Sequence, residues 1–211
     1  VDNNSDQGDK ARVVYIVPGG DSGWQMEHQA MHTFYKQIGL ESHPVGRWMV
    51  ERMWEPQNDD QPAFIVPPMA NLTSGPSGLT YHPGAGFLES EVGRFLICDY
   101  RGASAGSGIY SFSVAPEGAG MKLVDAREFN WGVAATDVEY SYDGKLVVAD
   151  FLGGWTSHED GRIYSLDAEK NTYLPEAVKQ TKQWFAEGFA KRSTAELAGM
   201  LAHPDMRVRL R

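Results

Sequence analysis

Gly78-Leu-Thr-Tyr-His-Pro-Gly84, Phe95-Leu-Ile-Cys-Asp-Tyr-Arg-Gly102 and Gly108-Ile-Tyr-Ser-Phe112 are followed by a second set of similar phrases. These are Asp137-Val-Glu-Tyr-Ser-Tyr-Asp-Gly144, Leu146-Val-Val-Ala-Asp-Phe-Leu-Gly-Gly154 and Arg162-Ile-Tyr-Ser-Leu166. Each set reads as three short apolar strands separated by turn residues, and the second repeats the first at a period of about 50 residues. A period of that size built from strands points to the blades of a β-propeller. A single blade leaves both faces of its sheet uncovered, so it must stack on neighbours. Met121 to Phe129 supplies an outer strand for the first blade, and the pattern predicts two consecutive four-stranded wedges about a shared axis.

Working outward, residues 1–11 are polar and acidic, and Arg12 to Val17 reads as a strand ended by Pro18-Gly19-Gly20. From about residue 25 to 62 the pattern breaks into an irregular insertion. Phe64-Ile-Val-Pro-Pro is extended, and its prolines keep it out of a central ladder position. The character changes at Tyr173. Pro175 suits a first helical position, and Val178, Trp184, Phe185 and Phe189 recur among charges. Ser193-Thr194 caps a helix over Ala195 to Ala202, His203-Pro204-Asp205 breaks it, and Val208 to Arg211 starts another. This succession resembles the opening of a HEAT-type repeat, which also needs stacked partners. The reading is therefore mainly β: residues 1–172 form the closing blades of a partial six-bladed propeller, and residues 173–211 begin a helical segment. The chain is expected to be part of a larger protein, since it opens at Val1 without a methionine.

The chain has 211 residues and a formal net charge of −9. That balance argues against nucleic acid or an anionic membrane surface as partner and fits a protein that binds cations or neutral solutes. No apolar run has the length of a membrane span. The single cysteine, Cys98, lies inside an apolar strand and reads as a buried small hydrophobe.

Candidate chemistry sits in few places. Asp2, Asn4, Asp6 and Asp9 around Gly8 offer hard oxygen ligands suited to calcium, although the glycine falls one place late for an EF-hand and Val13 stands where its glutamate would be. A solvated Asx-turn loop is the alternative. Arg101 lies in a glycine-rich loop able to bring a guanidinium to a carboxylate or phosphate, with an exposed salt bridge as the alternative. Its counterpart in the second set is Leu152, so it is not shared scaffold. Asp137 opens an innermost strand, where it either faces a central channel or bonds local backbone. Asp99 and Asp150 match between the sets, which favours a structural role. His28 and His32 have helical spacing but no His-Glu-x-x-His arrangement, and Ser77 lacks a nucleophile elbow.

In order along the chain, Gly8-Asp9-Lys10, Gly19-Gly20-Asp21-Ser22-Gly23-Trp24, Gly75-Pro-Ser-Gly-Leu-Thr-Tyr-His-Pro-Gly84, Asp137-Val138 through Asp143-Gly144, and Gly161-Arg-Ile-Tyr164 resemble the C-terminal blades of the soluble glucose/sorbosone dehydrogenase family. These are six-bladed propellers that use pyrroloquinoline quinone (PQQ) and calcium. The likeness is greatest to large bacterial relatives of membrane-bound dehydrogenase type, whose propeller is followed by HEAT-like repeats and a c-type cytochrome domain. The resemblance covers residues 1–166. It implies that the Asp2–Asp9 loop, Gly8 included, holds calcium, that Arg101 and Asp137 lie near the quinone, and that Trp24 matches a family Gly-Trp. Ser22 replaces the tyrosine that usually precedes that pair. It further implies a periplasmic or extracellular parent that oxidises a sugar or other small alcohol with a histidine base on an earlier blade, so this piece alone is inactive. The alternatives are a non-catalytic propeller that serves as a binding platform for carbohydrate or protein, and a calcium-stabilised structural module.

Overall fold

The computed structural model describes residues 11–22, 37–39, 58–60, 66–152 and 160–211. Among these, nine strands form three antiparallel sheets, so the chain is mainly β. It divides into two compact units. One comprises the residues up to Pro76 with Val114–Val124, the other Ser77–Ser113 with Asp125–Arg211.

In the first unit β1 (Arg12–Val14) pairs antiparallel with β2 (Pro68–Asn71), Arg12 lying opposite Asn71. The strand expected over 12–17 stops at Val14. Its register slips between Val13 and Val14, and the Pro18-Gly19 turn then closes with the Gly20 N–H donating to the Val17 carbonyl. Pro68 has no N–H to give, and it sits at the end of a two-stranded ladder where none is required.

The second unit is built on the internal repeat. Strands β3 (Pro76–Tyr81), β4 (Phe95–Asp99), β5 (Gly108–Glu117) and β6 (Gly120–Trp131) form a four-stranded meander. Strands β7 (Ala135–Tyr140), β8 (Leu146–Asp150) and β9 (Arg162–Leu166) form a three-stranded one. The registers correspond: Asp99 lies opposite Gly108 in the first sheet, and Asp150 opposite Arg162 in the second. The expected outer strand of the first wedge is present as β6. Among the described residues the second wedge has three strands where four were expected. After Leu166 the Asp167 carboxylate accepts the Glu169 N–H at 2.8 Å, a 3-10 turn follows over Glu169–Asn171, and Pro175 commits the chain to a helix.

The two meanders stack through their buried alternate residues. Leu96, Cys98 and Ile109 from the first meet Val138, Tyr140, Leu146 and Val148 from the second in one apolar cluster. Full burial of each large aliphatic side chain contributes about 1.5–3 kcal/mol, so this seam is the main stabilising contact between the sheets. The first strands of the two meanders approach closely. The Ser77 hydroxyl donates to the Ala135 carbonyl and the Thr80 hydroxyl to Glu139 Oε1 at 3.1 Å.

Helices α1 (Pro175–Glu187), α2 (Thr194–Met200) and α3 (Met206–Arg209) complete the unit. Pro175 occupies the first turn of α1, where its missing N–H costs nothing. Ser193 and Glu196 form a reciprocal capping box on α2, and Asp205 caps α3. Ala177, Val178 and Thr181 are the buried face of α1. Val178 seats against Gly144, whose positive φ of 81° makes the Asp143-Gly144 hairpin turn and where a Cβ would strike Val178 Cγ1 at 2.9 Å. The Phe87 N–H donates to the Gly144 carbonyl at 2.6 Å, so the helices close the same end of both meanders. Among the described residues no helix is long and apolar enough to cross a membrane.

Candidate functional site

At the opposite end, where β4, β6 and β8 finish, the meanders present an aromatic rim. Asp99 is wholly buried and accepts from Arg101 Nε at 2.9 Å and Nη2 at 2.5 Å. The Arg101 guanidinium lies 5.4 Å from the centroid of the Trp131 ring, a cation–π geometry. Trp131 packs edge-on against Tyr110 at 5.2 Å, and Tyr100 against Phe151 at 5.7 Å. Hydrogen bonding to Asp99 raises the guanidinium pKa further, so Arg101 stays cationic in its ion pair. The Arg101 side chain is about a third exposed, which leaves its outer edge open to solvent.

The sequence explains how the rim is held. The Arg101 loop is tied down by hydrogen bonds to Ser107. The Arg101 N–H donates to Ser107 Oγ at 2.8 Å, and that hydroxyl donates to the Ala103 carbonyl at 2.7 Å. Gly108 admits Trp131, because a Cβ there would run into the indole and into the Asn130 carbonyl at 2.5 Å. The second meander repeats the turn with a different partner. Asp150 accepts the backbone N–H of Leu152 at 2.9 Å, and Leu152 takes the left-handed conformation at φ 67°. In both sets, then, a buried aspartate closing a strand holds the residue two places on. The first holds a side chain and the second a backbone amide.

Asp137 points away from the apolar seam. Its Oδ1 accepts the Val138 N–H at 2.9 Å, the local backbone role that was one of its two readings. It lies beside Gly78 and is exposed, as is Glu139 two places on. Asp137, near the start of β7, and Arg101, in the loop after β4, therefore occupy the same end of the unit with different partners. The negative charge of Asp137 and burial together push the Cys98 thiol up to about 12, burial being the larger cause. The cysteine is a packed core residue, as its strand position suggested.

A second polar cluster escaped the sequence reading. Glu91 and Arg94 are both buried. Ser111 Oγ donates to Glu91 Oε2 at 2.6 Å and accepts from Arg94 Nε at 2.6 Å. Arg127 Nη2 reaches Glu91 Oε1 at 2.5 Å. Arg94 also bonds the carboxylate and the backbone carbonyl of Asp125, which adopts a positive φ of 50° inside β6. The network ties the 3-10 turn Glu89–Glu91 to β5 and β6, and its partners satisfy one another. It reads as structural. Only the charge alternation Glu91/Arg94 hints at it in the sequence, since the partners are 17 to 36 residues apart.

The proposed calcium ligands Asp2, Asn4, Asp6, Gly8 and Asp9, and also Trp24, lie outside the described residues. Among the described residues no group of three or more His, Cys, Asp or Glu side chains is arranged to hold a metal ion. No protein family, curated protein or solved structure matches this chain. Arg101, the residue that the resemblance places near the quinone, is paired with a carboxylate of the chain itself. Its charge is met by buried Asp99.

Proposed function

We propose that the stacked meanders are two consecutive blades of a β-propeller and that the aromatic rim binds a neutral, hydroxyl-rich solute, with saccharides as the fitting class. The observation that carries this reading is Arg101 locked on buried Asp99 and laid over Trp131. A guanidinium bonded to Asp99 and to Tyr110 still keeps N–H groups for ligand hydroxyls, and the ion pair carries no net charge to attract an anion. Tyr100 and Phe151 add ring surface on which the C–H face of a pyranose stacks. The acidic balance of the whole chain points the same way. Stacking of first strand on first strand supports the blade assignment, because consecutive blades meet in that manner. The three helices that follow, the last two of them capped, are read as the opening of a HEAT-like repeat. In this reading the chain is a binding platform and no catalytic step is assigned to it. The quinoprotein dehydrogenase alternative, with PQQ and calcium in a periplasmic or extracellular parent, is supported by motif order alone.

Titration of a panel of mono- and disaccharides followed by calorimetry tests the proposal. At least one sugar should bind, and R101K and W131F should each weaken it about tenfold, the loss of roughly 1.4 kcal/mol expected of one stacking or bidentate contact. Absence of binding across the panel, or unchanged affinity in both variants, overturns it. Reduction of a dye by an aldose only after PQQ and calcium are added to the full-length protein would favour the quinoprotein reading instead.

A further inference from the structure

His82 and His203 each open a His-Pro turn, and the two turns are fastened to one another. In both, the imidazole Nδ1 accepts the backbone N–H two residues on, that of Gly84 at 3.1 Å and that of Asp205 at 3.1 Å. Accepting at Nδ1 fixes the neutral tautomer with its proton on Nε2. In His82 that proton faces the Gly86 carbonyl at 3.0 Å. In His203 the buried Nε2 has no partner among the described residues. Both rings are buried, His82 edge-on to Tyr140 at 4.9 Å and His203 against Trp184 at 5.1 Å. The Met206 N–H donates to the Pro83 carbonyl at 2.7 Å. Gly84, at a positive φ of 103°, lies so close to the Pro204 carbonyl that no side chain fits between them.

We propose that the paired His-Pro turns form an acid-sensitive clasp, in which protonation of Nδ1 on either imidazole removes the acceptor for the Gly84 or Asp205 N–H and frees residues 203–209 from the loop at 83–86. A protonated Nδ1 turns an attraction between ring and amide into an opposition of two N–H dipoles. The charged groups around each ring set the balance. Glu91 and Asp205 favour a proton on His82 and Arg207 opposes it. Asp205 favours one on His203 and Arg209 opposes it. Burial outweighs them and lowers both imidazoles from the ordinary 6.5. The sign follows. The released imidazole takes up a proton more readily than the docked one, so the clasp is fully closed above 6.5 and weakens as pH falls below it. The meanders have their own apolar seam and stay folded.

Hydrogen exchange on the full chain, corrected for intrinsic rates, tests this. Between about pH 7.5 and about pH 5.5, protection at amides 84, 205 and 206 should fall about tenfold, the loss expected of one net hydrogen bond, while β4 and β8 keep theirs. Asn in place of each His retains an acceptor near the Nδ1 position and does not titrate, so H82N/H203N should hold its protection at both pH values. An NMR titration of the unaltered protein needs no variant. The His82 or His203 ring should titrate below 6.5, with the same midpoint as the loss of protection. Unchanged protection, simultaneous loss in β4 and β8, a midpoint unrelated to either ring, or pH dependence that survives in the double Asn chain would each overturn the clasp.

Discussion

Gly78 lies flat against Asp137: a Cβ built on Gly78 would come within 2.5 Å of Asp137 Cα and 2.8 Å of the Val138 nitrogen. The two residues hold corresponding places in the two meanders, and their contact sets how closely β3 and β7 approach. The obstacle to a side chain is backbone, so no rotamer change relieves it. G78A should therefore destabilise by about 1–3 kcal/mol, the usual cost of overpacking. Urea denaturation measures this. G199A is the control, since nothing lies within 4 Å of a Cβ there. In the interior of α2 that change should be neutral or stabilise by up to about 1 kcal/mol. Equal effects at the two positions would mean that the sheets are not in contact at Gly78.

The buried ionic cluster gives a second expectation. Glu91 faces Arg94 and Arg127 through Oε2 and Oε1, and its side chain is only 3% exposed. Removing its charge with E91Q leaves Arg94 buried beside a single exposed carboxylate, that of Asp125. Breaking one side of a buried pair costs about 3–5 kcal/mol. S111A should cost less, about 1–3 kcal/mol, because it orphans donors and acceptors without stranding a charge. Denaturant midpoints for the two variants check the order, and E91Q more stable than S111A would contradict it.

What was legible in the sequence follows from how local each signal is. Strand periodicity and paired turn residues announce themselves within ten residues, so the repeated meander, the outer strand β6, the Asp143-Gly144 hairpin and the Ser193 cap could be read directly. That the second meander shows only three strands among the described residues was not readable, because the residues after Leu166 are judged only by what they pack on. Arg101 drew notice for its glycine-rich loop, yet its partner Asp99 lay two residues back and had been set aside as shared scaffold. The same turn holds a backbone amide in the second set, so similarity hid the difference in use. Glu91, Arg94, Ser111 and Arg127 meet only through folding, and no spacing rule joins them. The two His-Pro turns lie some 120 residues apart in the chain, and no spacing rule joins them either.

Cys98 supplies the last expectation. It is completely buried in β4 between Leu96 and the facing strand β7, and burial with the nearby Asp137 charge raises its thiol to about 12. The thiolate is the reactive form, so at neutral pH the folded chain offers an aromatic disulfide reagent neither access nor nucleophile. Labelling should then proceed only through opening of the seam between the meanders. Its rate should track global stability across denaturant concentrations and rise in G78A by the factor that the stability loss dictates, about tenfold per 1.4 kcal/mol. Stopped-flow absorbance after mixing with the reagent measures this. Rapid labelling in the absence of denaturant would show that Cys98 is reached by a local motion, and the seam could not then be the cooperative core of this unit.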